Sequence, residues 1–205
     1  MKNKKTAPDT CEAFFYEMGH GPVAGVDEAG RGPLAGPVVA CALVLPPGLV
    51  IEGVNDSKKL SASRRRALAK IIISSAIAYN YGIVDAATID KINIHHASLL
   101  AMAHAIEGLS PKPKVVLADG KFSPPISIPT LHLVKGDSHS HLIAAASILA
   151  KEYRDEIMLS LHKEYPQYGF DKHKGYGTLA HKEAIMQHGL CPGHRVSYKV
   201  NTPTI

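Results

Sequence analysis

The stretch VAGVDEAGRGPLAGPVVACALVL, residues 23–45, decides how the chain folds. Val23 to Val26 is a short apolar run, and the acids Asp27 and Glu28 follow it directly. A glycine-rich segment, Gly30 to Gly36, then leads into a second apolar run from Pro37 to Leu45, which Pro46 and Pro47 stop. Short apolar runs bounded by Gly and Pro read as strands, and the short connection predicts a hairpin. Adjacent acids at the end of an apolar strand are costly unless they are paired or bound to a cation. Successive strand side chains point to opposite faces. Both acids therefore reach one site only if the chain turns after them, which Ala29-Gly30 allows.

Outward from this hairpin, Ser61 or Ser63 is a candidate cap for a helix through about Ala78, and Tyr79 to Val84 reads as a strand. A second helix is expected from Thr88, with Ile92, His96, Leu99, Ala103 and Ile106 on one core-facing side and Gly108 and Pro111 ending it. Val115 to Ala118 and Leu131 to Val134 read as short strands running into Asp119-Gly120 and Lys135-Gly136-Asp137, so each is expected to end in a carboxylate. A long Ala-rich helix follows, from Ser138 to about Glu164 with Pro166 behind it. After a Gly/Lys/Tyr loop, a last helix spans Thr178 to His188 with Gly189 at its end. A hairpin followed by αβαβ predicts an α/β fold, a mixed sheet flanked by helices. The expected division is a tail and short helix over 1–20, a catalytic domain over 21–165 and a small helical C-terminal segment over 166–205 that contributes to recognition.

Composition bounds the function. With 205 residues, 45% hydrophobic and 20% charged, the chain is expected to bury one core. Its longest apolar runs, Val38 to Leu45 and Ile71 to Ala78, are too short to cross a membrane. Pro8, Asp9 and Glu12 stand where a signal peptide would need apolar residues, so a cytoplasmic location is expected. Cys11, Cys41 and Cys191 are odd in number and widely spaced, which argues for reduced thiols. The net charge is +5, and residues 56–70 hold six cations against the single Asp56. Such a run is ordinarily a solvated helix face, and its other reading is a contact for an anionic partner.

Acids expected at three strand ends could converge at the carboxyl edge of a sheet with parallel strands, where functional sites collect. An all-oxygen cluster suits Mg²⁺ or Mn²⁺ rather than zinc. Two such ions about 4 Å apart would activate a water and stabilise the leaving oxygen of a phosphodiester. The pairs His95/His96, His139/His141 and Cys191/His194 complete no zinc pattern and are expected to be structural. The turn is GxGxxxG, neither a dinucleotide fingerprint nor a P-loop. Its bare backbone would let a sugar-phosphate chain approach, with Arg31 in reach.

The run from Gly25 through Asp27, Glu28 and Gly30-Arg31-Gly32 to Val38 resembles the signature of the ribonuclease HII family. So do Asn55-Asp-Ser-Lys-Lys-Leu-Ser61, Ala118-Asp119-Gly120, Lys135-Gly136-Asp137, Ala144 to Lys151, Lys174-Gly-Tyr-Gly-Thr178, and His194-Arg195 with Ser197-Tyr198. The motifs occur in order from about Val23 to Tyr198. The resemblance implies an RNase H-like fold and a metal-dependent endonuclease that acts on RNA in RNA–DNA hybrids and on ribonucleotides embedded in duplex DNA, as ribonucleotide excision repair requires. It implies that Asp27, Glu28, Asp119 and Asp137 hold two divalent ions, that Gly30, Arg31, Gly32 and Tyr176 sense the ribose 2′-OH and the RNA–DNA junction, and that Lys58 and Lys59 lie against a phosphate. Cleavage would fall 5′ of the ribonucleotide and leave a 3′-OH and a 5′-phosphate. A monomer without a membrane partner is expected.

His139, His141, Glu152 and Tyr153 depart from the family pattern and bear on how the helix after Asp137 packs. Two rival readings remain: a hybrid-binding protein without catalysis, whose expected mark is loss of one of the four acids, and a nucleotide-dependent enzyme that uses the glycine turn as a cradle.

Overall fold

In the computed structural model, which describes residues 11–54 and 60–199, the strand β1 (Val23–Ala29) is the centre of a five-stranded sheet. The expected tail over residues 1–10 and the motif residues 55–59, with Lys58 and Lys59, lie outside the described residues. The remaining strands are β2 (Val38–Val44), β3 (Ala78–Val84), β4 (Val115–Asp119) and β5 (Thr130–Leu133), in the order β3-β2-β1-β4-β5. β1 and β2 form the expected antiparallel hairpin, β3 adds antiparallel to β2, and β4 and β5 run parallel to β1. The sheet is therefore mixed, as the element order requires.

Helices α1 (Cys11–Glu17), α2 (Ala62–Ser75) and α4 (His141–Glu164) lie on one face, and α3 (Ala86–Glu107) covers the other. The chain ends with the short α5 (Phe170–His173) and α6 (Leu179–His188). Side-chain caps open the four long helices: Ser61 accepts from the Arg64 N–H, Asp85 from Thr88, Ser140 from Ile143 and Thr178 from His181. Each is worth about 1 kcal/mol. α4 crosses β1 closely because Gly25 has no side chain: a Cβ there would stand 2.4 Å from the Leu142 carbonyl carbon.

Two expectations change. α3 is not one continuous stripe, because Asn93 adopts φ 63° and ψ 164° and its side-chain oxygen accepts the His95 and His96 N–H groups, starting the helix afresh. His96 is thereby exposed, and the core is filled by Ile89, Ala97, Ala101, Met102, Ala105 and Ile106. Asp137 does not end β5 but sits on a 3-10 turn, Gly136–Ser138, entered through Lys135 at φ 57°.

Three of the four residues that depart from the family pattern, His141, Glu152 and Tyr153, have packing roles, while His139 is exposed. His141 accepts the Ile51 N–H, while its own N–H and that of Leu142 donate to Glu12, which docks α1 on α4. Burial pushes the His141 imidazole pKa down, consistent with a neutral acceptor. Tyr153 stacks on Tyr81 with centroids 4.1 Å apart, and Glu152 pairs with both Arg65 and Arg66. Two cations of the basic run are thus paired within the fold, Arg65 buried and Arg66 exposed.

Candidate active site

β1 and β4 pair in parallel with Val23 opposite Val115 and Val26 opposite Ala118. One step further along both strands stand Asp27 and Asp119, so the ladder itself sets two carboxylates side by side. Both follow the alternation onto the α4 face. Glu28 takes the opposite alternation, yet its longer side chain at the strand's end still borders the same cleft. The chain does not turn between the two acids: β1 continues to Ala29, and Gly30, at φ 102°, makes the turn immediately after. Asp27 accepts the Glu28 N–H at 2.7 Å, and Arg31 pairs with Glu28 at 3.2 Å.

Asp119 accepts the Gly136 N–H at 2.7 Å, which ties β4 to the turn carrying Asp137. All four acids, the Gly30-Arg31-Gly32 backbone and Tyr176 border one cleft of about 650 Å³. The Tyr176 ring, 45% exposed, lies over Gly32, where an added Cβ would be 3.8 Å from the ring. The turn itself must be bare, since a Cβ on Gly30 would fall 2.1 Å from the Arg154 Nε and one on Gly36 2.2 Å from the Met158 Sδ.

Burial first, then the negative charges of Glu28 and Asp119, push the Asp27 carboxyl well above the usual carboxylate range; a hydrogen bond from Ser147 opposes this. Burial raises Glu28 as well, against the lowering effect of Arg31. Acids that resist ionisation because they are buried beside other carboxylates are relieved by a cation. The donor set is all oxygen, with carboxylates borne on two strands and a turn. Among the described residues, no three His, Cys, Asp or Glu side chains close on a single metal-sized point, although all four acids line the cleft.

Four further polar residues border the cleft: Lys135, Ser138, Ser147 and Lys151. Ser147 and Lys151 are four residues apart on α4 and so share a face, a signal that becomes informative only once that face is known to meet β1. The histidines expected to be structural include His194, which is buried beside His181.

A mixed sheet of this order with acids converging at its carboxyl edge defines a ribonuclease H-type nuclease. The ribonuclease H2 of Pyrococcus horikoshii superposes with a TM-score of 0.73 at 27% identity, over 87% of this chain and 94% of that one. The RNase HII in the Archaeoglobus fulgidus complex gives 0.71 at 26% identity, over 89% and 98%. A family model described as Ribonuclease HII matches residues 24–201. Ribonuclease HII of Chlamydia muridarum is 54% identical over 183 residues, covering 89% of this chain and 84% of that protein. Ribonuclease HII of Acetivibrio thermocellus is 50% identical over 190 residues, covering 93% and 74%. The chain belongs to the ribonuclease HII family, whose members are endonucleases that hydrolyse phosphodiesters.

Proposed function

We propose that the chain hydrolyses the RNA strand of RNA–DNA hybrids and cuts 5′ of ribonucleotides embedded in duplex DNA, leaving a 3′-OH and a 5′-phosphate. The observation that carries this reading is the side-by-side placement of Asp27 and Asp119 at the end of the parallel ladder, facing the Gly32 backbone and Tyr176 across one cleft. Family membership supplies the reaction class.

Asp27, Glu28, Asp119 and Asp137 are the residues that would hold Mg²⁺ or Mn²⁺. A set of carboxylate donors suits Mg²⁺, which retains waters and takes carboxylates together with substrate phosphates. Two bound ions would supply an activated water and charge stabilisation for the leaving oxygen. Asp119 orients the 136–138 turn through the Gly136 N–H, and so sets where Asp137 points. Ser147 steadies Asp27, and Lys135 and Lys151 place positive charge beside the phosphodiester path.

Gly30, Arg31 and Gly32 would meet the ribose 2′-OH through their backbone, with Tyr176 closing over the same sugar; the 2′-OH is what separates RNA from DNA at one position. Lys58 and Lys59 would contact a phosphate of the DNA strand. The residues from 166 onward form the recognition segment of a monomer, and residues 21–165 form the catalytic domain. No helix among the described residues is long and apolar enough to cross a membrane. A cytoplasmic role in ribonucleotide excision repair fits this reading.

The test is cleavage of a DNA duplex carrying one ribonucleotide, beside an RNA–DNA hybrid and an all-DNA duplex, with and without divalent metal. Metal-dependent cutting on the 5′ side of the ribonucleotide is expected, with the all-DNA duplex intact. Cleavage of the all-DNA duplex, or cutting without metal, would sink the reading.

A further inference from the structure

Arg195 and Arg154 are the two largest fully buried side chains, 2% and 0% exposed. Among the described residues neither is ion-paired with a carboxylate. A buried cation is costly unless its donors are satisfied, and here main-chain carbonyls provide most of the partners. Arg154 donates to the carbonyls of Pro37, Lys174 and Ala35 at 2.9–3.0 Å. Arg195 donates to Gly36 from Nε and Nη2, to Arg31 from Nη1 at 2.9 Å and to Gly30 from Nη2 at 2.6 Å. Both guanidiniums therefore grip the 30–37 turn from beneath.

The grip of Arg195 determines which way the turn's peptide groups face. In a trans peptide the carbonyl and the following N–H point in opposite directions, and the bonds joining Gly30, Arg31 and Gly32 are trans. The carbonyls of Gly30 and Arg31 point to Arg195. The N–H groups of Arg31 and Gly32 consequently point away from it, and both residues border the cleft.

We propose that Arg195 is a positioning residue for ribose discrimination: by holding the Gly30 and Arg31 carbonyls inward, it presents the Arg31 and Gly32 N–H groups to the 2′-OH. The inference rests on the reading of Gly30–Gly32 as the ribose sensor. Tyr198 is part of the same device, because its hydroxyl accepts from Arg195 and donates to the Arg31 carbonyl at 2.7 Å, while its ring lies 5.0 Å from the guanidinium carbon. The segment holding Arg195 also braces the neighbouring loop: the Arg195 N–H donates to Leu34, and the Leu34 N–H donates to Gly175, the residue before Tyr176.

A lysine keeps the charge but lacks the planar fork that spans three carbonyls. Arg195→Lys therefore leaves phosphate attraction in place and frees the peptide groups to rotate. Tyr198→Phe removes only the hydroxyl. The experiment titrates wild type, Arg195→Lys and Tyr198→Phe with a duplex carrying one ribonucleotide and with its all-DNA counterpart, without divalent metal, so that neither is cut. Circular dichroism and thermal melting accompany each variant.

The expected result is a fall of about tenfold in the ribonucleotide preference of Arg195→Lys and about threefold in Tyr198→Phe, with all-DNA affinity changed less than about twofold. A folded Arg195→Lys with wild-type preference overturns the proposal, as does an equal loss of affinity for both duplexes. Should Arg195→Lys fail to fold, Tyr198→Phe decides by the same criteria. A wild-type protein without preference would instead overturn the sensor reading itself, which separates the two failures.

Discussion

The Nε2 atoms of His181 and His194 lie 3.1 Å apart in the interior of the C-terminal segment, and their surroundings fix which of them carries the proton. The His181 Nδ1 faces the Tyr176 carbonyl at 2.9 Å and must donate to it. Neutral His181 then accepts at Nε2, so His194 donates there and accepts the Cys191 N–H at its own Nδ1, at 3.0 Å. The chain of bonds is complete with both rings neutral and has no place for a further proton.

Acid should therefore unfold this segment. Burial is the first cause that lowers His181, to about 4 from 6.5, and it lowers His194 and the stacked His173 as well. Below pH 6.5 the unfolded chain takes up a proton that folded His181 refuses until about pH 4, so the stability due to His181 is present above 6.5 and is lost across that window. Asp27 and Glu28, whose raised values favour the folded state in acid, act in the opposite direction. Comparison with His181→Gln isolates the histidine: the wild-type urea midpoint should drop between pH 7 and 4.5 by about 0.5 M more than that of the variant. Equal drops would show that the pair does not titrate with folding.

The Arg65 guanidinium bridges Glu152 and Asp155 at 3.2 and 2.8 Å, joining α2 to α4 with all three groups nearly inaccessible. Removing one partner of a buried pair leaves uncompensated charge, at a cost of about 3–5 kcal/mol. Arg66 still pairs with Glu152 and Lys151 with Asp155, which moderates the loss. Arg65→Ala should therefore cost about 2–3 kcal/mol in urea unfolding, somewhat below that range. A loss below about 0.5 kcal/mol would class the pair with exposed ion pairs.

These contacts mark where the sequence was legible and where it was not. The strands, and Ser61 as one of two candidate caps, were readable because apolar runs, Gly and Pro, and short polar side chains act over a few residues. Arg65 read as one more cation of a solvated or phosphate-facing run, because Glu152 is distant in sequence and meets it only when α4 packs beside α2. The kink at Asn93 escaped the periodicity of α3, which continues through it in composition though not in backbone. Of the candidate site, the acids stood out as charges beside apolar strands. Their adjacency did not, because the β1–β4 register is a tertiary fact, and the same holds for Ser147 and Lys151.

Asp119 joins the ladder to the Asp137 turn, and its replacement by Asn keeps the shape and the acceptor oxygen for the Gly136 N–H while removing the charge. Asp119→Asn should retain the fold and lose turnover by about 100-fold or more, since an amide is a weak ligand for a hard cation. Steady-state cleavage across a Mg²⁺ titration checks this. Near-wild-type turnover at saturating Mg²⁺ would remove Asp119 from the metal site.

Among the described residues, Tyr176 is held through its backbone: its carbonyl accepts from His181 and Thr178, and its N–H donates to His173. The ring is left to project over Gly32 into the cleft, 45% exposed. An aromatic face held against a bare backbone leaves a slot in which a sugar or base can stack, worth about 1–3 kcal/mol by truncation. Tyr176→Ala should therefore slow single-turnover cleavage of the one-ribonucleotide duplex by about tenfold or more, with the metal midpoint shifted less than about twofold. Tyr176→Phe keeps the ring and should remain within about threefold of wild type if the ring acts by stacking. A Phe variant as slow as the Ala variant would assign the role to the hydroxyl, as a hydrogen bond to the ribose. Three equal rates would remove Tyr176 from the site, leaving discrimination to the turn that Arg195 holds from below.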